Sequence, residues 1–126
     1  MDDKTRYEQG MNIRRATLGD AYVDKSIRER TDFNTDFQEY ITRIAWGDVW
    51  ARPGLERKLR SIVVITSTLS TRNWDEFRLH LRGAINNGVT KDEIKEIILH
   101  CAVYAGVPPA NHAMKEAQAV FAEMGI

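Results

Sequence analysis

The stretch WDEFRLHLRGAINNGVTKDEIKEIILHCAVYAGVPPA, Trp74 to Ala110, leaves the chain few choices of fold. Phe77, Leu81, Ala84 and Ile85 recur at helical spacing and give one apolar face. Asn86-Asn87-Gly88 stops that helix, because glycine takes the left-handed conformation of a C-terminal cap without steric penalty. Thr90 opens a second helix, and Glu93 completes a capping box with it. The stripe of the second helix is Ile94, Ile97, Ile98, Cys101, Ala102 and Ala105, and Gly106 with Pro108-Pro109 end it. Two apolar helices joined by so short a turn fold back on each other, so a central antiparallel helical hairpin is expected.

The rest of the chain carries the same period. A polar start, residues 1–9, is expected to fray. Tyr7, Met11 and Leu18 mark a helix over about residues 7–18, which Gly19 interrupts. Asp20 is placed to cap a short helix through Ala21, Tyr22, Val23 and Ile27. Asn34 or Thr35 caps another, with Phe37, Tyr40, Ile41, Ile44 and Ala45 in phase, and Gly47 loosens it. From Leu55 the apolar positions are Leu59, Ile62, Val63, Thr66 and Leu69; the β-branched centre reads as a strand by composition, but its length and spacing favour a buried helix. A last helix after Pro109 carries Ala110, Ala113, Met114, Ala117, Phe121 and Met124. No segment alternates with period two long enough to form a sheet. The expected class is all-α: a single domain over residues 1–126, compact and built of about six to seven helices.

Charge removes several function classes. The 18 basic and 18 acidic residues balance, so no basic excess points to nucleic acid and no polybasic run to anionic lipid. One cysteine, Cys101, rules out an internal disulfide and a Cys-x-x-Cys redox pair; on its apolar stripe it reads as a small core residue. No apolar run spans a bilayer and the charged N-terminus is not a signal peptide, so a cytoplasmic protein is expected. The apolar stock is generous for so small a chain, and Ala- and Gly-rich helices allow close approach, which suggests burial between subunits.

Glu76 and His80 are four apart on the first helix of the hairpin, hence on one face. A carboxylate beside an imidazole orients the ring and raises its pKa toward neutrality, as an acid–base catalyst requires. The plain alternative is an exposed helix ion pair worth about 0.2–0.5 kcal/mol. Arg52, Arg57 and Arg60 surround the Pro53-Gly54 turn. They read either as a solvated helix start with ordinary ion pairs or as a wall that grips carboxylates through paired hydrogen bonds. Trp46 and Trp50 read as core or interface anchors. His100 and His112 are weaker candidates, and a Glu-x-x-x-His pair lacks the third ligand of a zinc site. No glycine-rich phosphate loop or nucleophile elbow is present, so neither a metal nor a nucleotide cofactor is expected.

Several of these residues also carry a resemblance. Glu76, His80, the run Arg82 to Thr90, Glu93-Ile94, Glu96, and the block Tyr104, Gly106, Pro108, Ala110 and Asn111 closely resemble the carboxymuconolactone decarboxylase family. The likeness extends to WGDVWARPGLERKLRS, Trp46 to Ser61, and to LGDAYVD, Leu18 to Asp24, and so covers most of the chain from about residue 18. It implies the helical fold shared with alkylhydroperoxidase D and assembly as a homohexamer, a trimer of dimers. It implies loss of carbon dioxide from 4-carboxymuconolactone, giving 3-oxoadipate enol-lactone in the protocatechuate branch of aromatic catabolism (the β-ketoadipate pathway), with no cofactor. Glu76 and His80 fall on the Glu and His of the family motif and become the catalytic candidates. Arg52, Arg57, Arg60 and Tyr104 supply the residue types needed to bind the substrate carboxylates and the enolate.

Three other readings stand beside this one: a related enzyme acting on another carboxylated lactone or small acid, an alkylhydroperoxidase-like redox protein, and a non-catalytic helical oligomer. The single cysteine weighs against the redox protein.

Overall fold

A computed structural model describes residues 1–126, and its secondary structure is entirely helical. Contacts group the helices into two compact units, Met1–Arg57 and Lys58–Ile126. No helix is long and apolar enough to cross a membrane.

In the first unit, α1 spans Asp3–Leu18, α2 Asp20–Arg28 and α3 Thr35–Ile41, and α3 runs on into a π-helical stretch, Thr42–Trp50. Helix α1 starts well before the apolar pattern does. Asp2 accepts from the Thr5 N–H at 2.7 Å, and Arg6 pairs with Asp3 and with Asp48, so the polar start is tied down rather than frayed. Gly19, at φ 91°, ends α1 and is itself the N-cap of α2; Asp20, expected to cap, lies inside the first turn and pairs with Arg15. Gly47 lies within the π-helical stretch, where the helix is widened, and it also permits a crossing. A Cβ at Gly10 would overlap the Thr42 carbonyl oxygen and lie 2.7 Å from the Gly47 nitrogen, and a Cβ at Gly47 would overlap the Arg6 carbonyl oxygen. Trp46 and Trp50 are buried and stacked, with centroids 4.8 Å apart, so both serve the core. Phe37, Tyr40 and Ile44, in helical phase, are nevertheless exposed on this chain.

The second unit holds α4 (Arg57–Ser70, its first residue belonging to the other unit), α5 (Trp74–Asn86), α6 (Lys91–Tyr104) and α7 (Val107–Met124). Ile65 and Leu69 of α4, Phe77, Leu81 and Ala84 of α5, Val89, then Ile94, Ile98 and Cys101 of α6 and Ala113, Ala117 and Val120 of α7 form one buried cluster. On α4 the buried face is Ser61, Ile65 and Leu69, while Leu59 and Val63 of the expected stripe face outward. The turn between α5 and α6 is built as its sequence indicates. Val89 N–H bonds the Ala84 carbonyl and Gly88 N–H that of Ile85, with Gly88 at φ 93°, a Schellman cap. Both hydrogen bonds of the Thr90–Glu93 capping box form. Helix α7 makes the close approaches to α5 and to α6, through Ala110, Ala113 and Ala117. Helix α6 ends at Tyr104, ahead of Gly106 and the two prolines, and Pro108 and Pro109 themselves sit in the first turn of α7, where the missing N–H groups would have had no helical partner.

Candidate active site

Helix α5 is locked to α7 along its length. The Trp74 ring stacks on His112 with centroids 4.1 Å apart, Arg78 donates to Glu116 at 2.9 Å, and Arg82 pairs with Glu123. These residues are spaced by one helical turn on α5, so they orient its other flank, which carries Glu76 and His80. A second set ties α4 to the α5–α6 turn. Asn87 Nδ2 donates to the buried Ser61 hydroxyl at 3.0 Å, and Lys58 pairs with Glu93 at 3.0 Å.

The Nε2 atom of His80 lies 3.5 Å from Oε2 of Glu76, beyond a strong charge-assisted hydrogen bond. The His80 side chain is 12% exposed and that of Glu76 is 61% exposed. Burial pushes the His80 pKa down to about 4. This reverses the expectation that Glu76 raises it toward neutrality. The carboxylate is in water, where its attraction is screened, while the imidazolium would have to give up its own hydration. His80 is therefore neutral near pH 7 in the ligand-free chain.

The other sequence candidates fall in different places. Arg52 is exposed in the segment after the π-helical stretch, Arg57 opens α4, and Arg60 is half-buried in the next turn. Tyr104 ends α6, 81% exposed, with its ring 5.1 Å from His100. Tyr104 and His100 line a cleft of about 580 Å³ with Thr66, Ser70, Cys101 and Ala105, whereas Glu76 lines another, of about 520 Å³, with Arg72, Asn73, Trp74 and Asp75. No three His, Cys, Asp or Glu side chains converge to hold a metal ion. The Cys101 thiol is buried, and burial raises its pKa, so it is poorly nucleophilic.

Arg72 escaped the sequence reading. Asn73 N–H bonds the Thr68 carbonyl at 2.8 Å and Arg72 N–H that of Leu69 at 3.1 Å, which makes a second Schellman cap at the end of α4. The left-handed position that Gly88 fills after α5 is filled here by Arg72, at φ 60°. A residue with a Cβ costs about 1–2 kcal/mol in that conformation. The available signal was a helix stop, Thr71-Arg72-Asn73, with no glycine in it.

Comparison with known proteins agrees with this architecture and this motif. Residues 35–119 match the Carboxymuconolactone decarboxylase family. A 4-carboxymuconolactone decarboxylase of Acinetobacter baylyi is 52% identical over 126 residues, all of this chain and 94% of that one. A nitrosuccinic acid decarboxylase of Metarhizium robertsii is 45% identical over 118 residues, 94% of this chain and 82% of that one. A 4-carboxymuconolactone decarboxylase of Pseudomonas putida is 58% identical over 48 residues, 38% of this chain and the whole of that sequence. With a family match across most of its length and a full-length relative at 52% identity, the chain belongs to the carboxymuconolactone decarboxylase family.

Proposed function

We propose that the protein decarboxylates 4-carboxymuconolactone to 3-oxoadipate enol-lactone without a cofactor, in the protocatechuate branch of aromatic catabolism. The observation that carries this reading is the Glu76–His80 pair, held on α5 within a chain that matches a decarboxylase of that name from end to end. The chemistry needs little else. When the carboxylate leaves as carbon dioxide, its bonding electrons stay on the ring carbon. The ring double bond carries them to the lactone carbonyl as an extended enolate, and a proton added to the ring completes the product. The substrate is its own electron sink, the role that pyridoxal phosphate or thiamine plays elsewhere.

His80 is assigned the proton. It is neutral when the chain is empty. A dianionic substrate seated beside it favours the imidazolium, so binding loads the proton that the reaction then uses. Glu76 supports that cation from the adjacent turn. Arg52, Arg57 and Arg60 are assigned to the carboxylates. Tyr104 lines the other cleft, so its assignment to the enolate oxygen rests on the family motif alone.

Assembly as a homohexamer, a trimer of dimers, belongs to the same reading. It is supported by apolar side chains exposed on both units, Phe33, Phe37 and Tyr40 on one and Val63, Val103 and Val107 on the other. A monomeric mass by light scattering at micromolar concentration would overturn it.

A second reading has its own support in the nitrosuccinic acid decarboxylase likeness. Nitrosuccinic acid is also a small diacid, and its nitro group can hold the electrons that a lactone carbonyl holds in the first reading. The purified protein should be assayed for carbon dioxide release from enzymatically generated carboxymuconolactone and from nitrosuccinate, before and after prolonged chelation. Turnover of the lactone that survives chelation is expected. Turnover of nitrosuccinate alone would select the second reading, and turnover of neither would reject both.

A further inference from the structure

We propose that Arg72 is a specificity-determining residue that binds a carboxylate of the substrate in the cleft bordered by Glu76; the identity of the substrate rests on the decarboxylase reading above. The cleft of about 520 Å³ is lined by Arg72, Asn73, Trp74, Asp75 and Glu76, so a molecule in it touches the catalytic carboxylate and the guanidinium together. Its charges are distributed unequally. The Asp75 carboxylate is taken by Arg78, which also donates to Glu116, and Glu76 faces His80 one turn on. Arg72 is exposed and makes no ion pair with any carboxylate of the chain. It is the cation of this wall whose charge is not already matched. A guanidinium presents two parallel donors to a carboxylate, so a diacid would be gripped at one end by Arg72 with its other end toward Glu76 and His80.

The backbone gives a second reason to look for a function here. Arg72 occupies the left-handed position of a Schellman cap at φ 60°, where glycine is the unstrained choice. Strain retained beside a cleft that holds a catalytic residue is the kind of outlier from which function is inferred. The side chain, not the backbone, is what such a position gains by carrying arginine.

This yields an experiment in which stability and function move in opposite directions. Arg72→Gly relieves the backbone, so it should melt at the same temperature as the parent or higher. Its KM for the diacid substrate should rise at least tenfold while kcat changes by less than about threefold, the signature of lost ground-state binding. Arg72→Lys keeps the charge but not the fork, and should fall between the two. Binding is read independently of turnover by calorimetry with adipate, an inert diacid, and with hexanoate, its mono-acid counterpart. Adipate should bind the parent more tightly than hexanoate does, and Arg72→Gly should abolish that preference. A folded Arg72→Gly protein with unchanged KM and unchanged adipate preference would overturn the proposal, as would a parent protein that shows no such preference. If the parent fails to turn over carboxymuconolactone but loses its adipate preference on Arg72→Gly, the substrate assignment falls and the Arg72 site stands.

Discussion

His80 Nε2 lies 3.5 Å from Glu76 Oε2, with the imidazole buried and the carboxylate largely in water. The pair is thus asymmetric: the group to which the proton is assigned is the one whose charged form is penalised. Two predictions follow from that asymmetry.

The first concerns stability. The unfolded imidazole titrates near 6.5 and the folded one near about 4. Between those values the unfolded chain binds more protons, so the contribution of His80 is fully present above about 6.5 and is lost as pH falls toward 4. Its full size is on the order of 3 kcal/mol. Urea denaturation at pH 7, 6 and 5 should show the parent losing stability faster than His80→Gln on acidification. Parallel curves would mean that the folded imidazole is not held neutral.

The second concerns turnover. His80→Ala should lower kcat by roughly 10²–10⁴, the usual contribution of general acid–base catalysis. His80→Gln should not rescue it, since an amide donates a hydrogen bond but not a proton. Glu76→Gln should cost less and should move the fall of kcat with rising pH to lower pH, because the imidazolium loses its supporting charge. In the parent, kcat/KM should break near the free-protein value of about 4, and kcat at a higher pH set by the bound substrate. Coincident breaks in steady-state kinetics would refute substrate-induced loading of His80. A folded His80→Ala protein that keeps most of its kcat would remove His80 from the chemistry.

Gly10 and Gly47 make a third prediction. Each meets backbone where a Cβ would be, with no flexible side-chain end to yield at Gly10. Gly10→Ala should therefore destabilise by about 1–3 kcal/mol or more, as overpacking does. At Gly19, a Cβ would meet nothing within 4 Å, but φ is 91°, so Gly19→Ala should be destabilised through the backbone alone. Thermal melts of the two variants measure both losses. The atoms that a Cβ at Gly10 meets are backbone atoms of Thr42 and Gly47, so trimming neighbouring side chains should not rescue Gly10→Ala.

Cys101 lies buried on α6 and is not among the groups assigned to chemistry. Cys101→Ala should cost roughly 1 kcal/mol through a small cavity, with kcat and KM retained. Loss of turnover in a folded Cys101→Ala protein would bring thiol chemistry back into consideration.

What the sequence determined by itself lies within a few residues of each signal. The Gly88 stop, the Thr90–Glu93 box and the four-residue spacing of Glu76 and His80 are properties of one helical turn or one cap, and the structure builds each as read. The buried stripes of α5 and α6 were legible for the same reason, since periodicity is a local property. Tertiary structure decided everything that depends on which distant segment comes to rest against a residue. It made α7 the close partner of both α5 and α6, turned Gly47 into a crossing point against α1, and left Leu59 and Val63 outward while Ser61 went in. It separated Tyr104 from the cleft of Glu76. The sign of the His80 shift is the sharpest instance. Spacing supplies the neighbouring carboxylate, which argues for a raised pKa, but the desolvation that lowers it comes from the packing around the ring. Proximity along a helix is encoded by four residues of sequence; exclusion of water is encoded by all the residues that surround the site.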